Sequence, residues 1–128
     1  MTPLIFLATC IAGGIGAVLR FALDGAIRSR WPTAFPVGTA FINISGSFVL
    51  GLLTGLALSA VLLPEDWTLV LGTGLMGGYT TFSTASVETM RLLQNRAYGK
   101  AAGNGLGVLL LAIGAALLGI WAGSISIR

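Results

Sequence analysis

At 128 residues the chain has room for a single domain, residues 1–128, and 55% hydrophobic against 9% charged residues places it among integral membrane proteins. A mean hydropathy of +0.95 points the same way. No histidine, one cysteine and four acidic residues leave almost nothing from which to build a metalloenzyme or a nucleophilic triad, so an enzyme is not expected. The net charge of +3 does not indicate nucleic acid, because the basic residues flank apolar segments instead of forming a patch with aromatics. Cys10, alone in an apolar run, excludes a disulfide framework and reads as a buried, inert thiol. The first apolar segment starts without a basic leader and runs too long for a cleavable signal.

Four segments are long enough to span a bilayer: 3–23, 36–63, 68–93 and 101–122. Each clears the roughly 20 apolar residues that a spanning helix needs. The connections are "DGAIRSRWPTAF", "PEDW" and "QNRAYGK", with Trp31, Trp67 and Tyr98 where interfacial aromatics belong. Arg20, Arg28, Arg30, Arg91, Arg96 and Lys100 lie on one side and only Arg128 on the other. That bias puts the first and third connections in the cytoplasm and both termini outside.

The first segment ends in "GGIGAVLRFAL", where Arg20 reads either as an anion attractor at a pore mouth or as an interfacial helix end. The second carries Thr39, Asn43 and Ser47 at i,i+4 spacing, hence on one face. An amide at that depth is costly without a partner, and three polar groups in a stripe favour a wet pathway over one interhelical hydrogen bond. Gly51/Gly55, Gly74/Gly78, Gly103/Gly107 and Gly119/Gly123 are spaced for close helix contact, within one bundle or between subunits.

The third segment contains "GLMGGYTTFSTAS", too glycine-rich and polar for a continuous lipid-facing helix. It reads as a broken helix in which Gly77 and Gly78 permit the turn and freed carbonyls between Gly77 and Thr80 face a cation or hydrogen-bond donors. Thr81, Ser83, Thr84 and Ser86 then cap the restarted helix or line a pore. Phe82 is either a packed core ring or a ring edge turned toward an anion. Glu88 reads as a vestibule charge, a cap or half of a salt bridge.

"GGIGAVLRF", "GTAFINISGSFVLG" and "GLMGGYTTFSTAS" together resemble the Fluc (CrcB-type) fluoride channel family of bacterial membranes, over nearly the whole chain. The resemblance implies an all-α, multi-pass protein of the inner (plasma) membrane whose four helices assemble into an antiparallel dimer. It implies two narrow fluoride pores and a structural sodium ion at the dimer centre, held by backbone carbonyls matching Gly77 and Thr80. Asn43 matches the family's pore asparagine, Phe82 its first pore phenylalanine, Arg20 its first-helix arginine and Glu88 its glutamate. Neutral donors such as the Asn43 amide, the hydroxyls of Thr39, Ser47, Thr81, Ser83 and Thr84, and ring edges could replace the water around fluoride without trapping it.

Two features depart from the family pattern. Ala85 stands in place of the second phenylalanine, and Val108 and Ala112 stand where relatives tend to offer hydroxyls. The charge bias also sits awkwardly with one sequence inserting both ways. A homodimer is the leading expectation, and an obligate heterodimer with a related subunit the alternative. A small multidrug-type, proton-coupled transporter is the rival from another class, disfavoured because no carboxylate is expected in the first segment.

Overall fold

The computed structural model describes residues 2–58 and 63–125, and over these all the regular secondary structure is helical. Five helices follow in order: α1 (Pro3–Arg30), α2 (Val37–Ala57), α3 (65–79), α4 (Phe82–Gln94) and α5 (Tyr98–Ile125). Three of them, α1, α2 and α5, are long and apolar enough to cross a membrane. The expected third span is instead divided between α3 and α4. Residues 59–62 of the expected second segment, and Arg128, fall outside the described residues.

The first segment runs further than its hydropathy suggests. Thr2 caps α1 by accepting from the Ile5 N–H at 3.3 Å, and Pro3 occupies the first turn, where its missing N–H costs nothing. The helix continues through "DGAIRSR" because Asp24 and Arg28 pair at i,i+4, Arg28 Nε lying 2.9 Å from Asp24 Oδ2. Two corrections follow. The first connection shrinks to 31–36, and a carboxylate, Asp24, does lie in the first helix, where it pairs with Arg28.

Glycines decide how the helices approach. A Cβ on Gly51 would strike the Ala116 carbonyl oxygen, and one on Gly119 the Phe48 carbonyl oxygen; Gly123 likewise faces Leu52 O at 2.6 Å. These bring α2 and α5 into backbone contact, the most extensive packing in the molecule. Gly74, whose Cβ would lie 2.7 Å from Thr9 O, and Gly78, packed against Gly13 O, do the same for α1 and α3. Three of the four spaced glycine pairs therefore serve packing within one chain. Gly107 meets no neighbour within 4 Å, and Gly103 only the rim of Phe35 at 3.6 Å.

Two stretches, Leu69–Met76 in α3 and Gly103–Gly107 in α5, are wound as wider π-helical turns. Such turns rotate the residues that follow and recur near functional sites. Cys10, expected to be buried, is exposed on the outer face of α1.

Candidate functional site

The break in the third segment falls at Thr80 and Thr81, three residues later than the glycines suggested. Gly77 has helical dihedrals (φ −61°, ψ −39°), and no described glycine has positive φ. Thr80 (ψ 159°) and Thr81 (φ −149°, ψ 117°) are extended instead. The glycines therefore do not supply the turn. Gly78 lets α3 lie against α1, while Gly77 faces open space.

Asn43 holds the break open. Its Oδ1 accepts from the Thr81 N–H at 2.8 Å, and its Nδ2 donates to the Thr81 carbonyl at 2.8 Å. In a continuous helix the Thr81 N–H would bond the Gly77 carbonyl, so that carbonyl loses its helical donor. Thr80 closes the preceding turn, its Oγ1 donating to Met76 O at 3.0 Å. Gly46 gives the break room beside α2, since a Cβ there would run into the Thr80 methyl group.

Thr81 then caps α4. Its Oγ1 accepts from the Thr84 N–H at 3.3 Å and donates to Thr84 Oγ1 at 3.0 Å, with Ser83 Oγ 3.4 Å away. Ser86 bonds Phe82 O at 2.9 Å. Phe82 projects from the start of α4 with 88% of its surface exposed, so it is not a core ring within this chain.

Beside the break runs a groove of about 540 Å³ between α2, α4 and α5. Asn43, Ser47, Thr80, Thr81, Phe82, Ala85 and Ser86 line it on one side, and Asn104, Val108 and Ala112 on the other. It gathers two amides, several hydroxyls and an aromatic ring within a largely apolar lining that holds no charged residue. Of the expected polar stripe, Asn43 and Ser47 reach this groove. Thr39 does not: it is buried at 2% exposure and donates to Glu88 Oε1 at 3.0 Å. Arg20 is half-buried on α1, and no hydrogen bond or ion pair among the described residues reaches it.

Glu88 resolves toward the salt bridge. Arg28 Nη2 lies 2.7 Å from Glu88 Oε1, so one guanidinium holds both Asp24 and Glu88. Asn104 was missed in the sequence. Buried at 3% exposure, it donates through Nδ2 to Ala85 O (3.2 Å) and Thr89 Oγ1 (2.9 Å), tying α5 to α4 beside the groove. A lone amide inside the apolar run of the last segment was its only available signal.

Residues 7–120 match the family model described as "CrcB-like protein, Camphor Resistance (CrcB)". The chain belongs to the CrcB-like family. This CrcB-like chain is 58% identical over 127 residues to "Fluoride-specific ion channel FluC 1" of Leifsonia xyli, covering 99% of this chain and 92% of that protein. It is 44% identical over 121 residues to "Fluoride-specific ion channel FluC 2" of Mycobacterium bovis, covering 94% and 92% respectively. A third relative, "Fluoride-specific ion channel FluC 1" of Listeria monocytogenes, is 51% identical over 87 residues, or 68% of this chain and 70% of its own.

Proposed function

We propose that this chain is the subunit of a passive, fluoride-selective channel that lets fluoride leave the bacterial cell across its inner membrane. The observation that carries the reading is the Asn43–Thr81 clamp, beside which an uncharged groove brings amides and hydroxyls to a broken membrane segment. Relatives covering nearly the whole chain and named as fluoride-specific ion channels support it. Fluoride binds its water tightly, so a selective path must present closely spaced donors in its place, and donors without charge let the ion leave again. A membrane potential negative inside suffices to drive the anion out, with no coupled proton.

In this reading the third segment crosses in two pieces, α3 and α4, and makes four spans with α1, α2 and α5. Non-helical backbone at membrane depth survives only against protein or a wet cavity, and the Asn43 amide and the groove supply both. Two copies associate in antiparallel fashion, with the exposed Phe82 and Gly77 directed at the partner. A sodium ion fits the backbone at the break. The Gly77 carbonyl has lost its helical donor, the Thr80 carbonyl belongs to an extended residue, and hard oxygen donors suit an alkali cation. Bound there, sodium would supply positive charge to carbonyls that no N–H among the described residues satisfies, and join the two copies.

Fluoride efflux from liposomes holding only this chain, followed with a fluoride electrode and with chloride as the control ion, tests the proposal. Fast efflux of fluoride alone supports a self-sufficient homodimer. Silence from a folded dimer rejects it in favour of a partner-dependent pore, the outcome that Ala85 would then explain.

A further inference from the structure

At the other end of α4 lies a second cavity of about 560 Å³, walled by Arg28, Trp31, Gly38, Glu88 and Arg91. Glu88 lines this cavity and accepts from Thr39, and each stands one helical turn from a residue that lines the groove, Glu88 from Ala85 and Thr39 from Asn43. An anion moving between the two spaces passes a carboxylate. That carboxylate is dry, its side chain only 11% exposed, and its Oε2 has no hydrogen-bond partner among the described residues. A bare negative charge there would repel the ion that the groove is built to pass.

We infer that Arg28 is a charge-balancing, positioning residue for anion passage. It holds Glu88 Oε1 against the Thr39 hydroxyl and cancels the carboxylate's charge, so the route from cavity to groove has no net negative wall. The inference rests on the channel reading above.

The local geometry is arranged around this one guanidinium. Asp24 Oδ2 grips Arg28 Nε at 2.9 Å, which turns Nη2 toward Glu88 at 2.7 Å. Gly38 makes space for Asp24, because a Cβ at that position would collide with Asp24 Oδ1. Two carboxylates share one arginine; Arg91, on the wall of the same cavity, makes no ion pair with either among the described residues, which leaves Arg28 as the cation in contact with Glu88. Arg28 is itself half-exposed, so its value lies in what it does to buried Glu88, not in the stability of a surface ion pair.

Fluoride efflux through the unaltered chain, Arg28→Gln and the double variant Arg28→Gln/Glu88→Gln, run side by side in liposomes, tests this. Arg28→Gln is expected to slow efflux about tenfold, because it leaves Glu88 uncompensated. The double variant removes both charges, keeps an acceptor for Thr39, and is expected to recover to within about threefold of the unaltered chain. A purely structural staple predicts the reverse, with the double variant no faster than the single one. That result, or Arg28→Gln conducting like the unaltered chain, overturns the inference. Should Arg28→Gln not fold, the double variant alone decides: conduction supports charge balance, and silence or misfolding rejects it. Silence of the unaltered chain is a different result, which removes the channel reading and this inference together.

Discussion

Asn43 and Thr81 are joined by two hydrogen bonds of 2.8 Å, one to the N–H and one to the carbonyl of the same residue, from helices separated by 38 positions in the chain. An uncharged amide donates and accepts at once through two separate atoms, which suits the paired N–H and carbonyl of one residue. It thereby replaces the ladder partners that Thr81 gives up where the helix breaks.

Asn43→Asp should abolish fluoride efflux. A carboxylate can still accept from the Thr81 N–H but presents a second acceptor to the Thr81 carbonyl, and it places a negative charge in the groove. Losing a donor to a buried carbonyl costs about 1–3 kcal/mol before the charge is counted. Efflux at the unaltered rate would remove Asn43 from both the clamp and the ion path.

Gly119→Ala should destabilise the fold by about 1–3 kcal/mol, since its Cβ has only backbone to meet and α2 and α5 must part. Gly114→Ala, which meets nothing within 4 Å, is the matched control and should shift stability by less than about 0.5 kcal/mol. Thermal unfolding in detergent compares the two. Equal shifts would mean that the glycine contacts between α2 and α5 do not limit stability.

Ala85→Phe should raise fluoride efflux if the groove lacks a ring edge where Ala85 now lines it. Unchanged efflux would show that this pore does not use position 85.

Asn104→Leu should loosen α5 from α4 by removing both donors that tie Ala85 O and Thr89 Oγ1. The net loss should be small, about 1 kcal/mol, because the partnerless Oδ1 disappears at the same time. Hydrogen exchange at the start of α4 is the sensitive readout. Protection as strong as in the unaltered chain would contradict a tethering role.

Replacing sodium with a bulky organic cation throughout purification should weaken the dimer and fluoride efflux together, if carbonyls at Gly77 and Thr80 hold the ion. Efflux and dimer content that ignore the cation would exclude a structural sodium.

Much of the site could be read in advance because membrane burial makes polar residues conspicuous. A threonine–serine run after paired glycines has no reason to face lipid, so a broken helix was legible without coordinates. The face shared by Asn43 and Ser47 followed from helical spacing alone. The partner of Asn43 did not, because i,i+4 spacing says which residues share a face and nothing about what opposes it. Thr39 illustrates the difference: one turn along the same stripe, it meets Glu88 instead of the groove.

Composition and periodicity were thus enough to establish a helical membrane protein, its apolar segments and that one of them must break, since each depends on residues near one another in the chain. Where the break falls, which glycines serve contacts within the chain, and that Arg28 reaches Glu88 depended on contacts between residues far apart in the chain, 38 positions for Asn43–Thr81 and 60 for Arg28–Glu88. Those are properties of packing. Glycine 78 looked like a hinge because glycine can turn, yet against the Gly13 carbonyl it is needed only for being small.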